Sequence, residues 1–303
     1  MCNRANHKKN FWGHCVGALC TALLLSSATL AGVPGTLLVT PFLSAPFPHP
    51  ARAEGHKYHT NFFSAAEHYS DSTVAIFIPA GFRATEALDC VVHFHGWNHD
   101  VAGVLPEYQL CEQLAASGKN AILIVPQGPY KALDSFGGKL EDTNGFKLFM
   151  AEALEKIRAR GGLARTNFSL GRVILSGHSG GYHVMAAILD HGGLAEHIRE
   201  AWLFDALYGN VENFVAWQKN QNGRLLNIYT DHGGTREVTE QLMTSYRTNG
   251  VSFLALEEKD LAAGAGLPPG RILFLHTDLT HNEVIFRRGE FSRFLQSSCL
   301  QSP

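Results

Sequence analysis

Acidic residues are absent from the first 53 positions: the chain carries no Asp or Glu before Glu54, although Arg4, Lys8 and Lys9 stand near its start. From position 10 to 51 charged side chains are missing altogether. A basic start, an apolar stretch around 16–30 and a small-residue site, best matched by Ala51-Arg52-Ala53, predict an export leader over 1–53 and a mature domain over 54–303. Pro34-Gly35, Pro41 and Pro46 interrupt the second half of that stretch, so cleavage near Ala31, or retention as a membrane anchor, stays open. The expected location is secreted or periplasmic, with a membrane as partner only if the leader is uncleaved. Cysteine is scarce as well. Removing Cys2, Cys15 and Cys20 leaves Cys90, Cys111 and Cys299, an odd set that excludes a dense disulfide framework. A Cys90–Cys111 bridge and buried free thiols are both open. A net charge of −2, with no basic block beyond the N-terminus, excludes nucleic acid as a partner. Repeats and low-complexity tracts are absent too. What remains is 303 residues at 45% hydrophobic and 17% charged, enough to bury one large core.

Past the leader, short apolar runs alternate with segments of helical spacing. Strands are expected at 73–79, 90–96, 121–125, 173–175, 201–204, 225–229 and 272–275, and helices at 104–117, 146–160, 211–219, 237–247 and 283–295. This alternation predicts an α/β fold whose mostly parallel central sheet has helices on both faces. Ligands gather at the carboxyl ends of such strands. His95 and Trp97, Gln127, Ser179, Asp205, Asp231, His276 and His281 stand there.

One of those ends organises the rest. Val173-Ile174-Leu175 stops at Gly177-His178-Ser179-Gly180-Gly181, and an apolar helical pattern restarts at Val184. A serine on a tight strand-to-helix turn is held in a strained backbone conformation, with its neighbours two before and two after pressed together. Glycine occupies both neighbouring positions. The same turn aims the Gly180 N–H at whatever the serine attacks, giving half of an oxyanion hole.

A serine hydroxyl needs a base, and the base needs a carboxylate to orient it. His281 lies in the loop after the last strand and is the expected base, whereas His276 continues that strand. Asp205 interrupts the apolar end Trp202-Leu203-Phe204 and needs a partner to stay charged there, so it is the expected acid. Asp231, which ends the following strand, is the alternative, though its surroundings also suit a plain turn. The other oxyanion donor is expected from Gly96 or Trp97, after the strand carrying His95.

These residues resemble the α/β-hydrolase superfamily from about Thr73 to the chain end, in its serine esterase form, with a fainter similarity to the polyester depolymerase and feruloyl esterase group. The resemblance implies attack by Ser179 on a carbonyl, an oxyanion held by backbone amides, and an acyl-enzyme hydrolysed by water that His281 activates, with no cofactor or metal. A small-molecule or polymeric ester is the implied partner. Positions 206–223 leave room for one short helix and no large lid. Acyl transfer, peptide cleavage or a non-enzymatic binding role on the same scaffold are the competing readings. His93-Phe-His95-Gly-Trp-Asn-His99-Asp100 superficially resembles the zinc motif of metallo-β-lactamase-like hydrolases, but it lacks the middle aspartate and its last histidine falls one place late. The loop from 127 to 144 is expected to form one wall of the site, where Tyr130, Phe136 and Lys139 are either available to touch a ligand or solvated decoration.

Overall fold

The computed structural model describes residues 1, 27–28, 32–160, 167–262 and 266–303. Runs of aliphatic and β-branched residues become eight main strands: β1 Gly35–Pro41, β2 Thr73–Pro79, β3 Ala87–Phe94, β4 Ile122–Pro126, β5 Ser169–His178, β6 Ile198–Phe204, β7 Arg224–Thr230 and β8 Ile272–Thr277. They lie side by side in the order β1-β2-β4-β3-β5-β6-β7-β8, with the pair Ser27–Ala28 at one edge and Leu254–Glu257 at the other. β2 runs antiparallel to β1 and β4, and the pairs from β4 through β8 are parallel.

Period-two alternation splits the core into two layers. Cys90, Val92, Ile122, Ile124, Val173 and Leu175 face one side of the sheet, and Val91, Leu123 and Ile174 the other. Helices α1 Val101–Glu107, α2 Leu110–Ser117 and α7 Glu290–Ser297 cover the second face. The first is covered by α3 Gly145–Arg160, α4 Tyr182–His191, α5 Val211–Asn220 and α6 Arg236–Thr248. Both faces are therefore dry, which is why the parallel strands read as nearly unbroken apolar runs. Between β6 and β7 the only helix is α5, so no large lid lies there.

Three expectations are corrected. The folded domain does not start at 54. β1 pairs with β2 from Gly35 opposite Pro79 to Pro41 opposite Thr73, and Leu37, Leu38, Phe42, Ala45 and Phe47 are buried beyond it. Arg52, the middle of the expected Ala51-Arg52-Ala53 cleavage site, donates from Nε at 2.7 Å and Nη2 at 3.1 Å to the carboxylate of Asp134. The prolines that seemed to interrupt a leader punctuate a strand and its exit instead, so the sheet includes residues well before Glu54. The basic and most apolar parts of the expected leader, with Ala31, lie outside the described residues. Next, the helix expected over 104–117 is two helices, because Gln109 takes a left-handed φ of 50° between them. Finally, the last helix starts at Glu290 rather than 283, since Gly289, at φ 75°, separates it from a series of turns. Cys90 and Cys111 are buried free thiols and form no bridge.

Candidate active site

β5 ends at His178, a short 3-10 turn covers Ser179–Gly181, and α4 starts at Tyr182. Ser179 has φ 51°, a conformation uncommon for a residue with a Cβ and kept only where surrounding packing dictates it. That packing is visible at the flanking glycines. A Cβ on Gly177 would fall 2.5 Å from the Met185 sulfur and 3.2 Å from the Gly181 carbonyl carbon, and one on Gly181 would fall 2.5 Å from the Phe94 carbonyl oxygen. The elbow expected from the sequence is thus present, with its serine at the carboxyl end of a central strand.

Asp205 closes β6, fully buried and itself at φ 45°. Its Oδ2 accepts from His281 Nδ1 at 2.6 Å and from Thr230 Oγ1 at 3.1 Å, while Oδ1 accepts from the Thr235 hydroxyl. A carboxylate buried among Trp202, Leu203 and Phe204 keeps its charge only when so compensated. Asp231, the alternative acid, is excluded from this pairing. It lies at the half-exposed rim, taking hydrogen bonds from Arg236 and from His276 Nε2, the latter at 3.0 Å. His276 is committed on its other nitrogen to Glu257 at 2.8 Å. Ser179 and His281 do not hydrogen-bond directly. Tyr208 stands near both: its hydroxyl donates to the Gly233 carbonyl, it lines the cleft with Ser179, and its ring centroid is 6.4 Å from that of His281.

The loop after β3, where the second oxyanion donor is expected, is set by His95. Backbone N–H of Gly128 at 3.0 Å and the Gln127 side-chain amide at 3.1 Å both donate to its Nε2, so the ring proton sits on Nδ1 and goes to the Gly96 carbonyl at 2.8 Å. Burial pushes this imidazole down to about 4, which keeps it neutral in that tautomer. In a trans peptide the carbonyl and the following N–H point in opposite directions, so anchoring the Gly96 carbonyl also fixes the Trp97 N–H. Gly96 itself presses on the elbow, where an added Cβ would lie 2.6 Å from Ser179 Cβ and 3.1 Å from its Oγ. We therefore expect Gly96→Ala to lower kcat on an aryl ester by about 10²-fold, with KM little changed, as loss of an oxyanion donor does. Wild-type turnover in a folded Gly96→Ala variant would refute this.

A cleft of about 290 Å³ opens over Ser179, lined by Trp97, Ser135, Gly180, Tyr182 and Tyr208. On the 127–144 loop the residue at the cleft is Ser135, which accepts from Trp97 Nε1 at 2.7 Å. Tyr130, Phe136 and Lys139 do not line this cleft: Phe136 packs against Phe47 and His49, Lys139 Nζ donates to the Leu43 carbonyl at 2.8 Å, and Lys131 Nζ lies 5.1 Å from the Tyr130 ring centroid. Tyr208 and Ser135 went unassigned in the sequence, where a lone aromatic or hydroxyl in a loop carries no signal.

In the zinc-like motif His93 Nδ1 meets Ser176 Oγ at 2.9 Å while its buried Nε2 has no hydrogen-bond partner among the described residues, His95 is occupied as described, and His99 Nε2 meets the Tyr108 hydroxyl at 3.1 Å. Among the described residues no group of three His, Cys, Asp or Glu side chains is placed to hold an ion.

No known family profile and no curated protein matches the chain. Among solved structures it is similar to a serine-to-alanine mutant of the feruloyl esterase module from Clostridium thermocellum complexed with sinapinate, at TM-score 0.52 and 8% identity over 90% of this chain and 93% of that one. It is also similar to FphF, a fluorophosphonate-binding serine hydrolase of Staphylococcus aureus, at TM-score 0.50 and 11% identity over 86% of this chain and 97% of that one. At such identities the likeness is one of fold: the chain has the α/β-hydrolase fold.

Proposed function

We propose that this chain is an exported serine hydrolase that cleaves carboxylic esters through an acyl-enzyme on Ser179. The observation that carries the reading is the 2.6 Å bond between His281 Nδ1 and buried Asp205, formed beside a serine strained to φ 51°. Because Asp205 accepts the Nδ1 proton, Nε2 is the basic nitrogen of the ring. Ser179 Oγ turns about its χ1 toward that nitrogen, surrenders its proton and attacks the ester carbonyl. Developing charge on the carbonyl oxygen is met by the N–H groups of Gly180 and Trp97. Collapse expels the alcohol, protonated by the His281 imidazolium, and a water activated by the same ring releases the acid. Asp205 stays ionised throughout and stabilises the imidazolium.

A fluorophosphonate probe should label the wild-type protein and not Ser179→Ala, and aryl esters of graded acyl length should be hydrolysed only by the former. Folded wild type that resists the probe, or a Ser179→Ala variant that still cleaves the esters, would sink the proposal. Supplying an alcohol or a peptide in the same assay separates hydrolysis from acyl transfer and peptidase activity. Export is proposed with cleavage near Ala31, the site that leaves β1 in place.

A further inference from the structure

We propose that His178, the residue between Gly177 and Ser179, is a positioning residue for the base, tying the backbone of His281 to the end of β5. This rests on the catalytic reading of Ser179 and His281 given above. His178 is almost fully buried, at 1% exposure, and its Nε2 lies 2.9 Å from the His281 carbonyl oxygen. A carbonyl only accepts, so Nε2 must carry the proton and Nδ1 must be an acceptor. The Tyr108 hydroxyl, 3.1 Å from Nδ1, is its donor. Having given its one proton to His178, the phenol oxygen is free to accept from His99 Nε2, also at 3.1 Å. Each bond thus fixes the direction of the next, from His99 through Tyr108 and His178 to His281.

The His281 segment needs such a tether. It sits in turns between β8 and α7, outside any strand ladder, and Asp205 holds only the tip of its side chain. His178 adds a grip on the main chain, and its ring packs on the His281 ring at 4.6 Å between centroids and 34° between planes. Two points of attachment define where Nε2 of His281 lies; one would let the loop swing about the Asp205 bond. Burial holds His178 in its neutral form, so the neighbouring ring does not repel the imidazolium that forms in each turnover.

Three variants test this with an aryl ester. Leu at position 178 removes the tether, Gln restores an N–H donor near the place of Nε2, and Tyr108→Phe removes only the hydroxyl that orders His178. His178→Leu should lower kcat by about 30- to 100-fold with KM within about threefold, since misplacing a reacting group by an ångström costs on that order. His178→Gln should recover about tenfold of that loss, and Tyr108→Phe should fall by about three- to tenfold, the worth of one hydrogen bond. If the Leu variant does not fold, the Gln and Phe variants carry the test, with circular dichroism confirming their fold. A folded His178→Leu enzyme within threefold of wild type, a Gln variant as slow as the Leu variant, or a Gln variant at wild-type speed together with a wild-type Tyr108→Phe would each overturn the proposal. An inactive Ser179→Ala beside an unaffected His178→Leu defeats this inference alone, whereas an active Ser179→Ala defeats the catalytic reading itself.

Discussion

Asp205→Asn lowers kcat by about 10³- to 10⁴-fold, while Asp231→Asn stays within about threefold of wild type. The asymmetry follows from what each carboxylate touches. Asp205, fully buried, accepts three hydrogen bonds, two of them on the oxygen shared by His281 and Thr230. An asparagine has one acceptor and one donor end. If its NH₂ takes the position facing His281, the imidazole must accept at Nδ1 and carry its proton on Nε2, where it can no longer serve as base. If instead the NH₂ faces Thr235, that hydroxyl can turn to accept, but the charge that stabilises the imidazolium is gone. Asp231 serves no such pair: it bridges His276 and Arg236 at the half-exposed rim, and surface ion pairs contribute little. Steady-state kinetics on an aryl ester, with circular dichroism on each variant, decides the matter. Comparable losses at both positions would show that the acid has been assigned too simply.

Which of the two carboxylates meets His281 was legible in part, and for a physical reason. Asp205 follows Trp202-Leu203-Phe204, and a carboxylate at the end of so apolar a run demands a partner, whereas the polar neighbours of Asp231 demand nothing. The elbow was legible because glycine at 177 and 181 is a steric requirement that shows directly in the sequence. The relay of His99, Tyr108 and His178 was not, because its partners are 9, 70 and 103 positions apart and meet only when β3, β5 and the last loop are assembled. β1 was misread for another reason. Thr36-Leu37-Leu38-Val39-Thr40, bounded by Pro34-Gly35 and Pro41, has the look of a strand, but it directly follows an apolar, charge-free stretch and merges with it. Hydrophobicity says that a segment leaves water without saying whether it enters a sheet or an export channel.

That misreading leads to an expected result for the chain itself: a protein beginning at Glu54 fails to fold, and one beginning at Val33 folds and is active. The shorter chain loses β1 and with it the buried side chains of Leu37, Leu38, Phe42 and Phe47. At about 1.5–3 kcal/mol for each large apolar side chain, this is about 6–12 kcal/mol, as much as the whole stability of an ordinary domain, about 5–15 kcal/mol. The damage extends to the cleft. Asp134, next to Ser135, accepts from Arg52 Nε and Nη2, from Tyr69 Oη at 3.0 Å and from the Phe136 N–H at 3.0 Å. Burial works to raise its carboxyl, but the hydrogen bonds from Arg52 and Phe136 outweigh that and hold it below the usual carboxylate range. Without Arg52 the buried charge is left short of its cation, and the loop carrying Ser135 loses its anchor. β2 would also become a bare edge, its unpaired N–H and C=O groups open to other chains. Soluble yield, circular dichroism and fluorophosphonate labelling of the two truncations give the readout. A folded, fully reactive protein starting at residue 54 would mean that β1 is dispensable and that the domain begins where the Ala51-Arg52-Ala53 motif suggests.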